Sequence, residues 1–104
     1  ALEKKIPLLQ PKKCTSLDVV KTLGELNSDV FIVVAFGQIL DESLLTLPRH
    51  FCIKLHSSLL PKYRGAAPIN WAIINGETKT GVTTMKMDTG LDTGNILRSS
   101  KVSI

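Results

Sequence analysis

Val30-Phe31-Ile32-Val33-Val34-Ala35-Phe36 is the stretch on which the fold turns. It has no polar member, so a strand built from it has two apolar faces, as in a parallel sheet covered by helices on both sides. Gly37 ends the run. Beyond it, Gln38 to Leu47 carries Ile39, Leu40, Leu44, Leu45 and Leu47, which predicts a short helix stopped by Pro48. Phe51 to His56 then predicts a second strand. Upstream, Leu17, Val20 and Leu23 with Val19 and Leu26 form an apolar stripe at helical spacing over Leu17 to Leu26, with Thr15 or Ser16 to cap it and Asp18 in its first turn. Gly24 weakens that helix by about 1 kcal/mol relative to Ala. Ile6 to Pro11 contains two prolines and is at best an edge strand.

In the C-terminal half, Pro68 suits the first turn of a helix running through Ile69, Trp71, Ala72 and Ile73 to Gly76 as its terminator. Gly81 to Asp88 alternates Val82 and Thr84 against Thr83, Met85 and Met87 and reads as a strand. Thr89 to Gly94 is a loop with two glycines, and Asn95 to Ile104 contains a last strand. No repeat interrupts the alternation, which predicts one α/β domain with a doubly wound, mostly parallel sheet.

The chain has 104 residues, 43% of them hydrophobic, enough for one small domain with a single core. Thirteen basic against nine acidic residues leave a charge of +4 with no run of five like charges. That is a mildly basic solvated surface or, alternatively, a face for nucleic acid. Cys14 and Cys52 support neither a disulfide framework nor a paired zinc site, so a reducing compartment is expected. No apolar run approaches the roughly 18 to 20 residues of a membrane span, and no signal segment opens the chain. A soluble protein is expected, and Ala1 at the start suggests processing or a fragment.

The chemistry concentrates in Phe51-Cys52-Ile53-Lys54-Leu55-His56-Ser57-Ser58-Leu59-Leu60-Pro61-Lys62-Tyr63-Arg64-Gly65. Side chains alternate along a strand, so Lys54 and His56 share a face at the strand's carboxyl end, where open α/β sheets place their ligands. His56 is either a satisfied structural histidine or a donor to an oxygen that becomes negative, with Asp92 as the acceptor that orients its ring. Pro61 and Gly65 either shape a tight connection or line a pocket with backbone groups. Lys62, Tyr63 and Arg64 are solvated loop residues or a basic pair around an aromatic ring suited to a phosphate and a base. The loop bearing Asp88 and Asp92 has no third carboxylate or second histidine close by, so no metal is expected. No G-x-G-x-x-G fingerprint is present.

His56 to Ile69, followed by Gly81-Val82-Thr83 and by Asp88-Thr89-Gly90-Leu91-Asp92-Thr93-Gly94, resembles the 10-formyltetrahydrofolate-dependent formyltransferases. The Ala66-Ala67-Pro68-Ile69 continuation and Trp71 to Ile74 point to the branch of that family whose acceptor is methionyl initiator tRNA. The resemblance implies a Rossmann-like fold and transfer of a formyl group from 10-formyltetrahydrofolate, without a metal, to the amino group of methionine on that tRNA. By position it assigns His56 and Asp92 as the catalytic pair. It assigns Ser58, Leu59, Leu60 and Pro61 to the folate site, with Gln38, Ile39 and Leu40 packing on the pterin and Asp88 nearby. Lys62 and Arg64 fall near the path of the substrate. The family carries an asparagine two residues before the histidine, where it donates to the formyl oxygen; here that position is Lys54, a third catalytic candidate that can donate as well. The change leaves open an inactive relative that keeps the fold or a folate pocket, or a family member with another acceptor.

The resemblance also implies that residues 1–104 form a single, incomplete catalytic domain. The family's opening strand-helix-strand unit and its C-terminal β-barrel, which helps to hold tRNA, both fall outside it. The strand at Val30 would then have an unpaired edge, open to a partner chain. Bacterial cytoplasm, or an organelle matrix, is the expected compartment.

Overall fold

The computed structural model describes residues 1–104. In chain order its elements are α1 (Leu17–Glu25), β1 (Val30–Val34), α2 (Glu42–Leu45), β2 (Phe51–His56), α3 (Pro68–Ile74), β3 (Lys79–Lys86) and β4 (Ile96–Ser103). The strands form one sheet in the order β1-β2-β3-β4.

β1 and β2 run parallel, with Val30 opposite Phe51 and Val34 opposite Leu55, and the connection from Ala35 to His50 is long enough for the crossover this requires. β3 lies antiparallel to β2, pairing Thr83 with His56 and Met85 with Lys54. β4 is antiparallel to β3 in turn. The α/β alternation stands, but the sheet is mixed, with one parallel pairing among its three. The last reversal follows from length, because Met87 to Asn95 is shorter than the dozen or so residues that a parallel crossover takes.

β1 departs from the two-sided burial expected of it. Ile32 and Val34 are 66% and 56% exposed, because β1 is the sheet's edge and pairs only with β2. All five residues of the strand, Ile32 and Val34 included, line a groove shared with Leu23 of α1 and with Leu26. The strand also stops at Val34, short of Phe36, since Ala35 adopts a left-handed backbone with φ of 47°.

The helix expected over Gln38 to Leu47 contracts to α2, capped by Asp41, whose Oδ1 accepts from the Leu44 amide at 3.3 Å. Gln38 is drawn the other way: its Oε1 accepts from the Cys14 amide at 2.8 Å and its Nε2 donates to the Lys12 carbonyl. That pair of bonds ties residues 37–40 down as a loop. Ile6 to Pro11 forms no strand. In α3, Pro68 opens the helix and Gly76, at φ of 71°, follows its end, but of the expected stripe only Ala72 is buried. Ile69, Trp71, Ile73 and Ile74 face outward.

Only 11 residues are buried, and His56, Ser58, Thr83 and Asp92 are among them. Polar groups thus share the core with Leu44, Cys52, Ala72 and Met85, and each polar group must find partners there.

Candidate active site

Lys54 and His56 project from the same face of β2 and meet Asp92, which sits at φ of 53° in the loop between β3 and β4. Lys54 Nζ donates to Asp92 Oδ1 at 2.6 Å, and His56 Nδ1 lies 3.6 Å from Asp92 Oδ2. The Gly65 amide donates to the same Oδ2 at 2.7 Å. Both acidic oxygens are thereby occupied, with the carboxylate 1% exposed, the imidazole 5% and the lysine side chain 20%. Of the three groups, Lys54 has the most open access to solvent.

Burial pushes the Asp92 carboxyl up, but the Lys54 hydrogen bond, the Gly65 amide and the nearby His56 and Lys54 charges outweigh it and hold the group below the ordinary carboxylate value. His56 Nε2 lies 2.8 Å from the Tyr63 carbonyl. A carbonyl oxygen only accepts, so Nε2 carries the hydrogen and the other ring nitrogen faces the carboxylate.

The segment after β2 is clamped on itself. Ser58 Oγ donates to the Lys62 carbonyl at 2.6 Å, and Thr83 Oγ1 of β3 donates to the Ser58 carbonyl at 2.7 Å while accepting from the Leu60 amide at 3.2 Å. Arg64 Nε donates to the Asp92 carbonyl at 3.2 Å, which joins this segment to the Asp92 loop. That loop has its own lock: Asp88 Oδ1 accepts from Thr93 Oγ1 at 2.7 Å and from the Gly90 amide at 2.9 Å, and the Thr93 hydroxyl leads in holding the Asp88 carboxyl low.

A cavity of about 250 Å³ opens beside the cluster. Phe36 to Leu40 wall one side and Asp88 to Asp92 the other, with Met85, Met87, Lys54 and Gly65 between them. A second cavity, of about 350 Å³, meets Lys54 and His56 from the direction of Ala67 and Ile69. Lys54 lines both.

Among the residues singled out from sequence, Gln38, Ile39, Leu40, Lys54, Asp88 and Asp92 converge on the first cavity. Ser58, Leu59, Leu60 and Pro61 do not line it, and the buried Ser58 hydroxyl is used up within its own turn. Lys62 is exposed and pairs with Glu77 at 3.1 Å, while Arg64 folds back on Asp92. The turn from Pro61 to Gly65 was expected to offer backbone groups and Thr83 was noted within a motif. The bonds of the Tyr63 carbonyl to His56, of the Gly65 amide to Asp92 and of the Thr83 hydroxyl to Ser58 and Leu60 were not foreseen. No three His, Cys, Asp or Glu side chains gather into a metal-binding group.

Across residues 1–104 the chain matches the family described as formyl transferase. The chain belongs to the formyl transferase family. It is 62% identical over all its residues to methionyl-tRNA formyltransferase of Geobacter metallireducens, and it spans 33% of that protein's length. Among solved formyl transferase folds it resembles phosphoribosylglycinamide formyltransferase of Bacillus halodurans, with a TM-score of 0.87 and 29% identity over 99% of this chain and 57% of that one. HypX of Aquifex aeolicus, in complex with tetrahydrofolic acid, shares the fold at a TM-score of 0.73 and 22% identity over 84% of this chain and 15% of that one. No helix of the chain is long and apolar enough to cross a membrane.

Proposed function

We propose that this chain carries the catalytic cluster of an enzyme that transfers a formyl group from 10-formyltetrahydrofolate to the amino group of methionyl initiator tRNA. The observation that carries the reading is the Asp92 carboxylate held between Lys54 and His56 at the head of the first cavity. The residues present fit a reduced folate: Ile39, Leu40 and Leu91 offer apolar surface, and the peptide edges of the two flanking loops offer donors and acceptors to a heterocycle. The relative described as bound to tetrahydrofolic acid and the name of the Geobacter metallireducens relative agree with this donor and this acceptor.

When the methionine amine attacks the formyl carbon, the carbonyl oxygen would gain negative charge. Collapse would then break the bond from that carbon to N10 of the folate, and the proton lost by the amine would pass to N10 so that tetrahydrofolate leaves. In this reading the ammonium of Lys54 is the donor nearest that oxygen. The imidazole of His56, set between Asp92 and the Tyr63 carbonyl, adds electrostatic stabilisation, and Asp92 orients both and takes part in moving the proton. Ser58 to Pro61 hold the loop in shape, while Gln38 to Leu40 and Asp88 bound the folate. Lys62 and Arg64 face the acceptor side.

A second reading, a chain that binds folate but does not transfer the group, draws on the 2.6 Å Lys54–Asp92 pair, which takes up the carboxylate oxygen not facing His56. One experiment separates the two. Formyl transfer to charged initiator tRNA is measured for the natural protein and for Asp92→Asn. Turnover that falls by about 100-fold or more in the variant supports the enzyme reading. Reduced-folate binding without turnover in the natural protein supports the second, and a folded protein with neither activity nor folate binding sinks both.

A further inference from the structure

We propose that Tyr63 and Glu77 are positioning residues for His56, acting through the backbone carbonyl of Tyr63. Tyr63 sits at φ of 56°, a left-handed conformation that a residue with a Cβ rarely adopts. That conformation accompanies its carbonyl onto His56 Nε2, at 2.8 Å. Something must hold it there, and the candidates are at the other end of the same residue. The Tyr63 hydroxyl donates to Glu77 Oε1 at 2.9 Å and accepts from Asn75 Nδ2 at 3.2 Å. Lys62 Nζ reaches the same Glu77 oxygen at 3.1 Å.

Glu77 is well placed for this. It lies immediately after Gly76, between α3 and β3, and its own amide is fixed by the Ala72 carbonyl at 3.0 Å. Ala72 is fully buried, so the anchor connects to the interior of the domain and not to a free surface loop. The chain of contacts runs from Ala72 through Glu77 and the tyrosine ring to the Tyr63 carbonyl and so to His56. The His56 ring then has one hydrogen bond, from Nε2 to the Tyr63 carbonyl, while Nδ1 faces the Asp92 carboxylate at 3.6 Å. Withdrawing that bond leaves the ring without a hydrogen bond to fix its orientation, even with Asp92 intact. Glu77 touches neither cavity wall, which distinguishes it from the groups around Asp92.

The catalytic consequence rests on the formyl-transfer reading above, whereas the state of the His56 ring does not. The test therefore reads both in the natural full-length protein and in its Tyr63→Phe, Glu77→Ala and Glu77→Gln variants. Nitrogen-15 NMR of labelled histidine follows the His56 Nε2–H and its exchange with solvent. Exchange should quicken by about tenfold in Tyr63→Phe and Glu77→Ala, the equivalent of one lost hydrogen bond. In the same two variants kcat should fall about 10- to 100-fold, with KM within about twofold of its starting value. Glu77→Gln keeps an acceptor for the tyrosine hydroxyl and should restore both readouts.

An unchanged His56 signal in Tyr63→Phe and Glu77→Ala overturns the proposal. So does a Glu77→Gln variant as impaired as Glu77→Ala, because the loss would then follow charge and not the hydroxyl's acceptor. Should the natural protein transfer no formyl group while its His56 signal still responds to Tyr63→Phe, the functional reading falls and the positioning role stands.

Discussion

Lys54 Nζ approaches Asp92 Oδ1 to 2.6 Å, while His56 Nδ1 stands 3.6 Å from the other oxygen of the same carboxylate. The lysine therefore has the shorter contact with a group that the histidine also needs. A compact ammonium also differs from an amide in what it does to its neighbours, since it adds a fixed charge beside the imidazole. Four consequences of this arrangement and of the frame around it are open to measurement.

Lys54→Asn should free Asp92 Oδ1 and leave the carboxylate to His56 and Gly65. Formyl transfer to charged initiator tRNA should rise, by about tenfold or more if the amide also donates to the developing oxyanion. A variant with activity equal to or below that of the natural protein would show that Lys54 is the better donor at this position.

The Asp92 carboxyl lies below its ordinary 3.8 in the folded chain, so the unfolded chain binds that proton more readily. The sign follows: Asp92 contributes stability that is complete above pH 3.8 and is lost as pH falls through the lower, folded value. Urea midpoints taken from neutrality down into that range should decline less steeply for Asp92→Asn than for the natural protein. Parallel declines would show that Asp92 titrates alike in the folded and unfolded chains.

Thr83→Val keeps the shape of a buried strand residue but removes the hydroxyl that joins the Ser58 carbonyl to the Leu60 amide. Leaving those groups short of a partner should cost about 1–3 kcal/mol in denaturant unfolding. Formyl transfer should fall as well, because the segment carrying Tyr63 and Gly65 loses its tie to β3. Stability within about 0.5 kcal/mol of the natural protein would mean that water replaces the hydroxyl.

A side chain at Gly94 would run into the Lys86 carbonyl oxygen, at the point where β3 gives way to the Asp92 loop. Gly94→Ala should therefore shift the loop backbone and destabilise the fold by about 1–3 kcal/mol, and a crystal structure should show Asp92 displaced from Lys54. An unmoved Asp92 would mean that the strand end yields instead of the loop.

How much of this was legible beforehand can be judged element by element. α1 and β2 lie where apolar spacing put them, because in both the local pattern and the observed element agree. The pairing of Lys54 with His56 followed from strand alternation alone, and Asp92 as the third member rested on nearness in a loop and on resemblance. Less was legible where the backbone carries the contact: the Gly65 amide and the Tyr63 carbonyl have no signature in a string of side chains. Gln38 was expected in a helix and is instead spent on Cys14 and Lys12, a competition visible only once residues 24 and 26 positions away come close. The outward-facing apolar residues of α3 and β1 illustrate the same limit, since periodicity identifies an apolar face without identifying what covers it.

By itself, then, the sequence determined the alternation of helices and strands, the position of β2 and the set of titratable groups at its carboxyl end. These depend on neighbours within a few residues, where spacing and propensity act directly. Tertiary structure alone decided that the sheet is mixed, that Lys54 takes the closer place beside Asp92, and that Tyr63 bonds Glu77 through its hydroxyl and His56 through its carbonyl. Each of those depends on distances between segments far apart in the chain, and a difference of an ångström in such a distance decides which group holds a carboxylate.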